Sequence, residues 1–70
     1  MGKLADMIRS ERARKKITQR ELGTAIGVGA TTVNSYECSK ITPTAGKLVK
    51  LADFFGCTVD WLLGRTNVRK

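Results

Sequence analysis

The chain has no histidine, a single proline, two cysteines and only six acidic residues among its 70. Without histidine it has no side chain that ordinarily titrates near neutral pH, and it lacks the commonest metal ligand. No nucleophile–base pair and no metal-ligand cluster can be read from what remains, so an enzyme is the least expected class and no cofactor is implied. The cysteines, Cys38 and Cys57, stand far apart. Zinc sites need paired ligands at spacings such as C-x2-C, so these two read as free thiols, buried or partly buried, in a reducing cytoplasm. No apolar run is long enough for a signal peptide or a membrane span. There is no internal repeat and no low-complexity segment.

Against the few acids stand thirteen lysines and arginines, a net charge of +7. Seven of them fall in the first twenty positions: Lys3, Arg9, Arg12, Arg14, Lys15, Lys16 and Arg20. That excess favours a polyanionic partner, although a solvated basic face that only maintains solubility gives the same composition. A hydrophobic fraction of 41% suits a compact globule rather than a disordered tail. Seventy residues make one domain with a small core.

The hydrophobic spacing predicts helices and no strand of any length. Over 3–15, Leu4, Ile8 and the stem of Arg12 share a face, with Met7 beside them. Thr18 and Glu21 form a capping-box pattern, T-x-x-E, and Ile17 with Leu22 fits a hydrophobic staple. In the helix that follows, Leu22, Ala25 and Ile26 are expected inward, and Gly27 is the natural stop. After Val28 and Gly29 a third helix is expected over 30–37, held by Val33 and Tyr36. Pro43 punctuates the next loop. Thr44 then caps a helix over 45–55, with Leu48, Leu51, Ala52 and Phe55 at helical spacing and Gly56 at its end. Thr58 caps a last short helix carrying Val59, Leu62 and Leu63, closed by Gly64. The domain is expected to occupy 1–64, and 65–70, RTNVRK, to form a frayed polar tail.

The segment GVGATTVNSYE, 27–37, is thin and a weak helix former. Its context explains it. Gly23 sits mid-helix, Gly27 follows, and Val33 and Tyr36 come ten and thirteen residues after Gly23, as a helix-turn-helix requires. Val33 and Tyr36 anchor the second helix. Its other face, Ala30, Thr31, Thr32, Asn34 and Ser35, is left free. Short side chains suit a helix entering a major groove about 12 Å wide, and Asn, Thr, Ser and methyl groups can all contact base edges. Two short helices around a glycine turn also occur in proteins that never touch DNA. Charge and spacing together favour DNA.

With these residues in place, the sequence resembles the Cro/repressor-type (XRE-like) helix-turn-helix family of phage and bacterial regulators. The resemblance covers about residues 3–64. It is carried by ITQRELGTAIGV, Val33, the YE at 36–37, Pro43, LVKLADFFG at 48–56 and VDWLLG at 59–64. It implies an all-α, five-helix, lambda-repressor-like fold that binds an operator in double-stranded DNA, most often as a repressor. It implies that Gln19 bonds a phosphate and braces the recognition helix. Gly29, Ala30, Thr31 and Ser35 match positions that meet bases, with Thr32 and Asn34 close by. Lys40 matches a phosphate contact, and Lys15 is a further backbone contact. Arg12 and Glu37 match an internal ion pair.

The sequence departs from the pattern at Ser39, usually glycine, and at Lys16, often glycine. Each substitution costs about 1 kcal/mol if the local φ is positive, or the turn differs. The recognition helix also lacks the Gln and Arg side chains that often make strong base contacts, so DNA shape is expected to carry part of the specificity. A homodimer, at least on DNA, would read two half-sites. Val59 and Trp61 are its candidate interface, and they serve equally well to close the core. An antitoxin or a restriction-modification controller protein shares this fold, the former with a toxin as partner. A protein-interaction module is the remaining alternative from another class.

Overall fold

The computed structural model describes residues 3–69. Five helices follow one another: α1 (Lys3–Lys15), α2 (Gln19–Ile26), α3 (Ala30–Glu37), α4 (Ala45–Phe55) and α5 (Val59–Leu62). The described residues contain no strand. None of the helices is long and apolar enough to cross a membrane.

The boundaries fall where the caps dictate. Thr18 Oγ1 accepts from the Glu21 N–H at 3.0 Å, and the Thr18 N–H donates back to Glu21 Oε1 at 2.8 Å, a complete capping box. Thr44 and Thr58 cap α4 and α5 through their hydroxyls. Gly27 ends α2 in the left-handed region, φ 83°, which glycine adopts without penalty.

Nine residues make the core: Ile8, Leu22, Ile26, Val33, Tyr36, Leu51, Ala52, Phe55 and Leu62. Leu4, Met7, Ile17 and Val59 pack partly buried against it. The most extensive helix contact is that of α2 with α3. Gly23 is essential to it: a Cβ there would lie 2.5 Å from the Val28 carbonyl oxygen. What the small residue admits is the backbone of the turn leading into α3, rather than the side of α3 itself.

Two expectations need correction here, and one buried acid was not expected at all. Ala25 is exposed, not inward. The buried face of α2 is centred on Leu22, Gly23 and Ile26, and Ala25 projects roughly 100° from that centre at about 100° per residue. Glu11, unremarked in a run of charges, is buried with 4% exposure. The segment 65–69 is not a frayed tail. The Thr58 N–H donates to the Arg69 carbonyl at 3.0 Å, and the Arg69 side chain reaches α1. Lys70 lies outside the described residues.

Lys16 and Ser39 both take positive φ, 57° and 61°. The turns therefore keep the shape that glycine would give, and these two residues carry its strain.

Candidate nucleic-acid interface

α3 is pinned on one side and open on the other. Val33, Tyr36 and Glu37 are buried. Gly29, Thr31 and Asn34 are exposed, and Ala30, Thr32 and Ser35 are half-buried. The candidate reading face thus has Thr31 and Asn34 at its crest, with Ala30, Thr32 and Ser35 on its flanks. Cys38, one turn beyond Asn34, is exposed, against the expectation that both thiols are buried or partly buried, because it follows α3 on its open side; its thiol donates to Asn34 Oδ1 at 3.7 Å. The Asn34 amide nitrogen keeps both its donors.

The amino end of α3 differs from those of α2, α4 and α5. Gly29 is its N-cap and offers no side-chain bond. Its φ of −83° is open to any residue, and a Cβ would meet nothing within 4 Å. Neither conformation nor packing requires a glycine there, so the first amides of α3 stand unobstructed.

The carboxyl end is fixed through Glu37. Arg12 Nε donates to Glu37 Oε2 at 2.6 Å and Arg12 Nη2 to Oε1 at 3.1 Å, a bidentate pair. Arg12 Nη1 donates to the Ile17 carbonyl at 2.9 Å, at the entry to α2. The bond to Glu37 raises the Arg12 pKa above its ordinary value, so the guanidinium is charged throughout the accessible range. Gln19 Nε2 donates to Glu37 Oε1 at 3.3 Å. Arg9 Nη1 donates to the Glu37 backbone carbonyl at 3.1 Å. One buried acid therefore joins α1, the start of α2 and the end of α3. The ion pair implied by the resemblance is present. Gln19 reaches the end of α3 in the same cluster, in line with the bracing that the resemblance implies, whereas sequence spacing gives no means to foresee Arg9 there.

The chain then turns through Ser39, and the Lys40 N–H donates to the Ser35 carbonyl at 2.9 Å. This holds Lys40, exposed, against the end of α3. Lys15 is placed otherwise. Its ammonium lies 5.0 Å from the centroid of the Phe54 ring on α4, while the residue stays exposed.

Most acids are already matched. Asp6, Glu11, Glu37 and Asp60 pair with arginines. Among the described residues Arg20, Lys40 and Lys47 form no ion pair, and the excess positive charge resides on such groups. Arg20 is exposed beside Gln19. Lys47 Nζ lies 3.8 Å from where a Cβ on Gly27 would sit, at the turn between α2 and α3. Neither is among the candidates that the sequence singles out. The signal for Arg20 was its adjacency to Gln19; for Lys47, twenty residues from the turn, there was none.

Residues 8–62 match the family model described as helix-turn-helix. The chain is 33% identical over 60 residues to YobD of Bacillus subtilis, an uncharacterized HTH-type transcriptional regulator, covering 86% of this chain and 54% of that protein. It is 32% identical over 69 residues to repressor protein C2 of Salmonella phage P22, covering 93% of this chain and 32% of that protein. It is 32% identical over 63 residues to the cryptic phage CTXphi transcriptional repressor RstR of Vibrio cholerae, covering 90% and 56%. The chain thus spans between a third and just over half of these relatives' length. The P22 c2 repressor in its crystal structure with a synthetic operator superposes with a TM-score of 0.85 at 30% identity, covering 90% of this chain and 96% of that one. The match to the family model takes in most of the chain, and the chain belongs to the helix-turn-helix family, of the Cro/repressor (XRE) type.

Proposed function

We propose that this chain is a sequence-specific DNA-binding transcriptional regulator, acting as a repressor, that inserts α3 into the major groove of an operator. The observation that carries the reading is the division of α3. Val33, Tyr36 and Glu37 are locked into the body while small polar groups stand outward, beside cations without an acid partner. The superposition on an operator-bound phage repressor supports it.

Thr31 and Asn34 would contact base edges, with Ala30, Thr32 and Ser35 at the flanks and the Gly29 backbone approaching closely. Gln19 would bond a phosphate with the donor that Glu37 leaves free, aided by the positive end of the α2 dipole. Lys40, Arg20 and Lys15 would supply further backbone contacts. The protein acts by binding alone, without catalysis, in the cytoplasm. Two copies would read half-sites about one helical turn apart. Their contact would form around Val59 and Trp61, both of which are half-buried and so keep part of their surface.

Selection from a randomised duplex library at about physiological salt tests this. A two-fold symmetric motif is expected. Enrichment of no sequence, with binding that vanishes as salt rises, would reduce the basic surface to non-specific affinity and overturn the proposal.

A further inference from the structure

Glu11 has no part in the reading surface, yet it is as deeply buried as Glu37. It lies on α1, and the groups that satisfy it come from the far end of the chain. Arg69 Nε donates to Glu11 Oε2 at 3.0 Å, and Arg69 Nη2 to Oε1 at 2.7 Å. The Trp61 indole N–H donates to Oε2 at 2.9 Å. Arg14 Nε approaches Oε1 at 3.4 Å from the exposed side.

The opposite edge of the Arg69 guanidinium is also engaged. Nη2 donates to the Phe55 carbonyl at 2.7 Å, and Nη1 to the Gly56 carbonyl at 3.3 Å. These are terminal carbonyls of α4, which lack intrahelical partners and lie at the negative end of its dipole. A carboxylate on one edge and two carbonyls on the other match a planar fork of N–H donors. An ammonium, a point charge, cannot span both edges.

We infer that Glu11, the carbonyls of Phe55 and Gly56, and the Trp61 indole form a binding site for a guanidinium side chain, that Arg69 fills it, and that its occupancy latches residues 65–69 onto the helical body. The site and its occupant are separable. The receiving groups belong to α1, to the end of α4 and to α5, which pack on one another. The occupant comes from a segment outside regular structure, tied to that body by two backbone bonds, the Arg65 N–H to the Asp60 carbonyl at its start and the Thr58 N–H to the Arg69 carbonyl at its end. α2 and α3 contribute no group to the site, so emptying it leaves the contacts of the reading face in place.

The test uses the full chain carrying Arg69→Ala, with Arg69→Lys beside it. Amide exchange at Thr58 is expected to quicken at least tenfold in both, because a lysine does not restore the fork. N-ethylguanidinium added to the Arg69→Ala protein is then expected to shift the Trp61 indole resonance saturably. Ethylammonium should not, and neither should N-ethylguanidinium added to the unaltered chain, whose site is filled. Thr58 exchange unchanged by Arg69→Ala would overturn the latch. Equal responses of the indole to the two cations would overturn the guanidinium site.

Discussion

Two single residues carry measurable penalties or gains. Ser39 holds φ 61° and its side chain is exposed, so the left-handed backbone is strained without a compensating contact. Ser39→Gly should therefore stabilise the domain by about 0.5–1 kcal/mol, the relief of strain exceeding the added chain entropy. In a chain of this size that is a rise of about 4 °C in melting temperature, read by circular dichroism. Glu11 governs the acid limit. Its bonds to Arg69, foremost, and to Trp61 outweigh burial and lower its pKa from 4.5 to about 2. The folded domain thus takes up this proton less readily than the unfolded chain. The stabilisation is complete above about pH 4.5 and disappears as pH falls toward 2. Urea midpoints at pH 6, 4 and 3 should fall more steeply for the unaltered chain than for Glu11→Gln. Parallel curves would show that Glu11 is not the group concerned.

Among the elements, α3 is the one whose stability and use conflict. A serine at Gly29 would cap it as threonine caps its neighbours, and no contact stands in the way. Gly29→Ser should raise stability by about 0.5 kcal/mol. If the bare amino end of α3 meets DNA, the same change should weaken operator affinity roughly tenfold, about 1.4 kcal/mol. A stabilised protein with undiminished affinity would remove Gly29 from the interface. The carboxyl end behaves oppositely. Glu37→Ala strands the Arg12 charge in a half-buried place and frees Gln19 and α3 together. A loss of about 3 kcal/mol is expected, near the lower limit for breaking a buried pair, and it is measurable by urea denaturation.

These two ends also mark what sequence makes legible. Capping boxes and glycine stops are local codes, so the helix limits could be read within a few residues of each other. The Arg12–Glu37 pair came from family resemblance, since 25 residues separate its members. The Glu11–Arg69 pair, 58 residues apart, left no trace. An acid within SERARK looks solvated, and RTNVRK has no periodicity from which docking could be inferred. Lys15 is legible only in part for a related reason: its charge can be counted, but the ring beneath its ammonium belongs to α4.

At the scale of the molecule, charge decides how binding strength and binding choice separate. The net charge is +7, but the arginines are largely spent on internal pairs with the few acids. What remains for a polyanion is the set of cations outside those pairs, mostly lysines, among which Arg20 stands on α2 and Lys40 just beyond α3. Each phosphate so neutralised should contribute about −0.9 to the slope of log K against log salt. Arg20→Ala and Lys40→Ala should therefore each flatten that slope by roughly one and weaken binding to every sequence alike. Thr31→Ala and Asn34→Ala should do the reverse. The slope should stay as it was, while the preference between the selected operator and its single-base variants shrinks, by about 1–3 kcal/mol where a bidentate contact is lost. Fluorescence anisotropy on matched duplexes across a salt series measures both quantities at once. Were all four substitutions to alter the slope equally and leave the preferences intact, the outward side chains of α3 would be lying along the backbone, and sequence choice would rest on the shape of the DNA.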